Sequence, residues 1–402
     1  IKNMKEAVDL YIDCLCRKNK IGILFDVDVD GLSAGKIIFE YTQRFTNNIF
    51  YFMNKNKKHG LNDNVLNWVK SKNINLIIIV DSGTNDYLLK DKLSEEGVSV
   101  IVLDHHEIEN YSYLDLKENV VTVNCNYEGS PNRELSGAGV TFRFIREVDK
   151  RLKTHDIDRF KSWVGLSVLS DSCSMLNKEN RYYVSYLYNN YNKDTLFNKF
   201  TNYGSLKNMF NFTVIPILNA CIRMGEENLA IDIVLSKNDR KIKKMLENAK
   251  IVYENQKYSI EEAIKLISIV EGKNIIVGKI PDNEDFTSIA GLIANRLKNK
   301  TKKSCMIIKK DDIKNLYTGS FRAEGEFNSD ILNKFGIKTA GHKEACGIEI
   351  NKEKFKDTMI NLLNYEYQNN KNNNYDIEVY EEDYPFLERE LFEIAEFNEM
   401  TG

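Results

Sequence analysis

Three short apolar runs in this chain each end directly on an aspartate. GILFDVDVDG supplies Asp26, Asp28 and Asp30, LIIIVDSG supplies Asp81, and VIVLDHH supplies Asp104 followed by His105 and His106. Apolar, β-branched runs of this length read as strands buried on both faces, the environment of a parallel sheet covered by helices. The runs Lys20 to Phe25, Ile49 to Phe52, Leu76 to Val80 and Val98 to Leu103 alternate with stretches of helical spacing such as Leu32 to Arg44. That alternation predicts a doubly wound α/β domain. In such a sheet the C-terminal ends of the strands lie along one edge, where α/β proteins hold their ligands. Acids far apart in the sequence are therefore expected to converge.

Converging carboxylates repel one another and raise one another's pKa unless cations neutralise them, so their natural occupants are hard divalent ions such as Mg²⁺ or Mn²⁺. A histidine in the set tilts the choice towards Mn²⁺. Gly31 and Gly83, just past the acids, permit tight turns and close backbone approach at the mouth of the site. A single aspartate after a strand is an ordinary helix N-cap or turn residue, and a lone histidine is more often packed or on the surface. Three strands with the same ending, one carrying a histidine pair, favour the metal reading.

The rest of the chain fits more than one domain. Its 402 residues, 42% hydrophobic, suffice for two or three cores. Residues 1–190 are expected to form the first α/β domain and 191–265 a helical connector, because apolar residues there keep helical spacing without a strand-like break. Residues 266–360 read as a smaller α/β domain, with strands at Asn274 to Gly278, Cys305 to Ile308, Asn315 to Ser320 and Cys346 to Ile350 around a helix at Ser288 to Lys298. Residues 361–402 read as a polar linker, QNNKNNN, and an acidic tail. The seven cysteines form no CxxC pair, which argues against a zinc ribbon and fits reduced thiols in the cytoplasm. No apolar run is long enough for a membrane span and the start lacks signal-peptide patterning, so a cytoplasmic protein without a membrane partner is expected. The chain opens on Ile1, and a start preceding it is expected. With 56 Lys and Arg against 59 Asp and Glu, net charge −3, the chain lacks the overall basic balance of many nucleic-acid binders, leaving the decision to the motifs.

Those motifs resemble a known family. FDVDVDG, VDSG and LDHH, in this order, look like the first three motifs of the DHH superfamily of phosphoesterases. GLSVLSDSCSMLNKENR is similar to the fourth, with Asp171 at the position of the remaining ligand and Asn180 and Arg181 matching its usual ending. ELSGAGVTFRFI at 134–145 and VIPILNACIR at 214–223 resemble segments of the RecJ single-strand exonucleases, although Ile222 replaces a glycine of the usual pattern. SIAGLIANRL, TGSFR and AGHKEACG resemble the DHHA1 domain, with Ala340 in place of one glycine.

The resemblance implies a DHH catalytic domain and a DHHA1 substrate-binding domain facing each other across a cleft. It also implies that Asp26, Asp28, Asp81, His105 and Asp171 hold two divalent ions, Asp81 bridging, while Asp30, Asp104 and His106 are ligands or support them. Asp28, Asp81, His105 and His106 are expected to carry the chemistry. Arg223, Ser320, Arg322 and His342 are the implied substrate contacts, of which Arg suits a phosphate through paired hydrogen bonds. The implied activity is hydrolysis of single-stranded DNA from the 5′ end, releasing 5′-mononucleotides, with short RNA as a further substrate and replication or repair proteins as further partners. RecJ proteins usually carry an OB-fold after DHHA1, and the tail is expected to lead towards one. Two alternatives stay open: a DHH phosphodiesterase for short oligoribonucleotides or cyclic dinucleotides, and a non-catalytic scaffold on the same fold.

Overall fold

The strand and helix alternation expected at the N-terminal end is realised in a computed structural model, which describes residues 1–55, 58–111, 119–155, 157–200 and 205–366. Five strands, β1 (Ile21–Phe25), β2 (Ile49–Met53), β3 (Leu76–Val80), β4 (Ser99–Asp104) and β5 (Val120–Asn124), form one parallel sheet in the order β2-β1-β3-β4-β5. The intervening helices are α2 (Val29–Thr42), α3 (Asp63–Lys72) and α4 (Tyr87–Glu95), preceded by α1 (Met4–Cys16) and followed by α5 (Gly137–Leu152), α6 (Lys161–Ser170) and α7 (Lys178–Asn190).

Strict alternation within fully buried strands explains the two covered faces. Ile21, Ile23 and Phe25 of β1, Leu76, Ile78 and Val80 of β3, and Ile101 and Leu103 of β4 pack with apolar residues of α1, α2, α5 and α6. Leu24, Ile77, Ile79, Val100 and Val102 point the other way, onto Val65, Leu66 and Val69 of α3 and Leu93 of α4. Period-two side-chain direction with both faces apolar is what a parallel sheet between helices requires. The strand order reverses direction between β1 and β3, the switch point beyond whose C-terminal strand ends open α/β sheets hold their ligands.

Contacts divide the chain into two units within the long helix Asp239–Leu266, between Tyr253 and Glu254. Composition changes near 190, yet Ile217, Leu218 and Ile222 of the helix Ile215–Arg223, Ile231 and Val234 after it, and Ile242, Leu246 and Ala249 belong to the core of the first unit. Their apolar faces bury there, so much of the helical spacing read at 191–265 serves the first unit's core.

The second unit holds a six-stranded sheet in the order β10-β11-β9-β8-β7-β6, built from β6 (Ser268–Glu271), β7 (Ile275–Lys279), β8 (Ser304–Asp311), β9 (Leu316–Arg322), β10 (Lys338–His342) and β11 (Ala345–Asn351). Within it, only β7 and β8 pair in parallel among the described residues. Its core is formed by residues such as Met306, Ile308, Phe321, Leu332, Ile348 and Leu362. The expected helix lies at Ala290–Thr301, after a short 3-10 turn at Thr287–Ile289. The polar stretch 368–374 and the acidic tail lie outside the described residues.

Candidate metal centre

The acids arrive where the sheet puts them. Asp26 follows the last residue of β1, Asp81 the last residue of β3, and Asp104 ends β4. Asp26, Asp30, Asp81 and Asp104 are all buried, and Asp28 is half-buried. Asp28 is the N-cap of α2, its Oδ1 accepting a hydrogen bond from Gly31 N at 3.0 Å. The local role of helix cap and the expected role of ligand therefore coincide in one side chain, because a capping carboxylate keeps acceptor capacity to spare. A Cβ on Gly31 would lie 2.6 Å from the Asp26 backbone, so glycine is what lets α2 start this close to β1.

His105 is the hub. Its Nε2 lies 3.2 Å from Asp81 Oδ1, 3.7 Å from Asp171 Oδ2 and 3.9 Å from Asp30 Oδ2. Three overlapping groups have ligand atoms within 4.8 Å of one another: Asp26, Asp28 and Asp81; Asp30, His105 and Asp171; and Asp81, His105 and His106. Asp81 thus belongs to two of them, and it adopts a left-handed backbone, φ 59°, that is unfavourable for a residue with a Cβ. Among the described residues its buried Oδ1 has no hydrogen-bond partner. A buried carboxylate oxygen that accepts no hydrogen bond costs free energy that a cation removes, so the donor set fits a divalent metal.

Not every acid is equally available. Asp30 Oδ2 accepts from Gly137 N at 2.7 Å, and its Oδ1 accepts from Ala138 N at 2.8 Å and Ser167 Oγ at 2.5 Å. It thereby fastens α2 to the N-terminus of α5 and to α6. Asp104 Oδ1 accepts from His105 N, His106 N and His106 Nδ1 at 2.7, 3.2 and 2.7 Å, and its Oδ2 accepts from Thr84 N at 3.0 Å. These bonds shape the turn after β4 and fix the His106 ring. Asp171 caps the end of α6. The loop beyond it is held by Asn180 Nδ2, which donates to Ser174 O and Glu134 O, and by Arg181, which donates to Met175 O and Leu176 O.

Electrostatics follow the same division. Burial, reinforced by Asp30, Asp28, Asp26 and Asp171, raises Asp81 well above the usual carboxylate range. Burial likewise pushes Asp30 up to about 6 despite the neighbouring His105, and raises Asp26 against the lowering effect of His59. For Asp104 burial also opposes charge, but His106 beside it outweighs this and holds the carboxyl far below its ordinary value. Asp104 in turn drives His106 up to about 10.

Four expected substrate contacts divide between the units. Arg223 ends the helix Ile215–Arg223 in the first unit and is half-buried. In the second, Arg322 of β9 and His342 of β10 both pair with Ala345 of β11, and Ser320 pairs with Gly347. Paired residues and residues two apart share a sheet face, so Ser320, Arg322 and His342 lie on one face, opposite the core residues Phe321 and Cys346. Sequence reasoning missed His59, whose Nδ1 lies 2.6 Å from Asp26 Oδ2. It sits in a lysine-rich loop that reads as solvated surface, and the available signal was its place just after β2, the neighbour of β1.

A parallel sheet whose central strands end on acids, beside a histidine pair, defines a class. Residues 20–168 match the family model described as DHH family, N-terminal domain. A Bacillus subtilis strain 168 protein from the SPbeta prophage, named for single-strand DNA-specific exonuclease activity, is 26% identical over 415 residues, covering 90% of this chain and 70% of its own length. The single-stranded-DNA-specific exonuclease RecJ of the same bacterium is 25% identical over 397 residues, covering 90% of this chain and 47% of RecJ. Among solved structures, RecJ of Thermus thermophilus in complex with Mn²⁺ has the same fold, with a TM-score of 0.74 at 20% identity over 90% of this chain and 54% of that one. The chain spans about half the length of these RecJ proteins. No helix among the described residues is long and apolar enough to cross a membrane.

One prediction concerns the packing of α5 against the centre. A Cβ on Gly137 would meet Asp81 Oδ1 at 2.4 Å, so Gly137→Ala must displace either the carboxylate or the helix start. Mn²⁺ affinity measured by calorimetry is expected to fall about 10- to 100-fold, as when groups that orient a metal ligand are disturbed. Overpacking should also destabilise the protein by roughly 1–3 kcal/mol.

Proposed function

We propose that this chain is a metal-dependent nuclease that hydrolyses single-stranded DNA from its 5′ end and releases 5′-mononucleotides. The observation that carries the reading is the convergence of Asp26, Asp28, Asp171 and His105 with Asp81, whose buried Oδ1 accepts no hydrogen bond among the described residues. In this reading those five residues would hold two divalent ions, Mn²⁺ or Mg²⁺. When bound, such ions supply charge for the phosphate oxygens and acidify water, so that no protein nucleophile is needed. Asp30 and Asp104 act differently, since their oxygens are engaged by backbone and hydroxyl donors. They keep α5 and the histidine pair in place. On the second unit, Ser320, Arg322 and His342 provide a hydroxyl, a guanidinium and an imidazole on one sheet face, a donor set suited to phosphate oxygens. Arg223 is assigned to the DNA backbone. The names of the relatives support the choice of single-stranded DNA.

The test is digestion of a 5′-phosphorylated single strand beside its duplex and a dinucleotide RNA, with Mn²⁺ and with a chelator. Metal-dependent conversion of the single strand to mononucleotides, with the duplex spared, is the expected result. Turnover confined to the dinucleotide would overturn the assignment of substrate, and no turnover of any of the three would overturn the assignment as a nuclease.

A further inference from the structure

Of the buried acids Asp26, Asp30 and Asp104, Asp26 accepts the fewest hydrogen bonds, and the side chain that touches it comes from outside the four acidic motifs. Asp30 accepts three hydrogen bonds and Asp104 four. Among the described residues, the Asp26 carboxylate has the bond to His59 alone, at 2.6 Å between Nδ1 and Oδ2. The two side chains differ sharply in exposure, 59% for His59 and 3% for Asp26, so the imidazole covers the carboxylate from the solvent side. His59 follows β2, which pairs with β1 in register from Ile21 with Ile49 to Phe25 with Met53. The chain beyond β2 is thereby delivered to the same sheet edge as Asp26.

We infer that His59 is a positioning residue of the metal centre, holding Asp26 in the orientation needed to bind a divalent ion together with Asp28 and Asp81. This rests on the metal-centre reading above. A carboxylate has two oxygens and about four lone-pair sites, so a hydrogen bond to Oδ2 leaves Oδ1 free for an ion. The bond also fixes which way the carboxylate plane faces, and partners that orient a ligand in this way contribute to metal affinity. Because His59 is mostly exposed, removing it takes little from the core.

The experiment is calorimetric titration of the full chain with Mn²⁺, comparing wild type, His59→Ala and His59→Asn. An asparagine amide can place an N–H donor where Nδ1 stands. Wild type should bind, His59→Ala should bind about 10- to 100-fold more weakly, and His59→Asn should recover most of the difference. If wild type binds no Mn²⁺, the metal-centre reading falls and this inference with it. If wild type binds and His59→Ala binds equally well, this inference alone is overturned. Equal weakness of the two variants would likewise overturn it, since the donor would then not be what holds Asp26.

Discussion

Asp81→Asn is expected to abolish the proposed nuclease activity while leaving the metal-free protein at least as stable as wild type. The two effects have one cause. Asp81 is buried beside Asp30, Asp28, Asp26 and Asp171, which together make its negative charge unfavourable, and its Oδ1 has no hydrogen-bond partner among the described residues. A charge kept under those conditions is useful only when a cation occupies the site. Asparagine preserves the shape, removes the repulsion and removes the shared anionic ligand. The loss of turnover should exceed the roughly 100-fold that follows removal of a group that merely orients a ligand. Steady-state kinetics with Mn²⁺ and a thermal melt in chelator measure the two halves. Activity within tenfold of wild type would exclude Asp81 from the centre.

The second large effect is on stability against pH. For an acid whose folded pKa is raised, the native state still holds a proton that the unfolded chain has lost, so stability falls as pH rises from the unfolded value towards the folded one. Asp30 moves from 3.8 to about 6, which by itself corresponds to about 3 kcal/mol at 1.36 kcal/mol per unit. Asp26 and Asp81 shift in the same direction. His106, raised to about 10, adds stability that is fully present below about 6.5 and is lost as pH rises through 10. The raised acids make the metal-free protein less stable as pH climbs above 4, and His106 adds to the loss above about 6.5. Mn²⁺ should reverse the loss at pH 7 to 8, adding about 2.7 kcal/mol at a hundred times its Kd. Melting curves across pH 4 to 8, with chelator and with Mn²⁺, provide the test. A flat metal-free profile with no shift on adding Mn²⁺ would contradict the electrostatics described here.

Much of the fold was legible because buried strands carry their environment in their composition. The runs at Ile21, Leu76 and Ser99 lie within a residue or so of their structural limits, since Ile, Val and Leu on both faces leave few alternatives. Strands with weaker signatures escaped notice. In β5 the buried Thr122 and Asn124 interrupt the apolar run. In β6 the four residues are all exposed, and in β10 four of the five are, so neither carries the long apolar run of a strand covered on both faces.

For the site, the sequence by itself determined which acids and which histidine pair gather, because a parallel sheet sends its strand ends to one edge whatever the helices do. Tertiary structure decided what each of them does there. Asp28 and Asp30 are two residues apart in one motif, yet Asp28 caps α2 while Asp30 is taken up by backbone donors of α5, 107 and 108 positions away. His59 reaches Asp26 from 33 positions away across the β1 and β2 pairing. Local pattern reports how often a residue must face a core, and that is fixed by strand and helix period. Which donor meets which carboxylate depends on how separate elements pack, and no period in the chain encodes that.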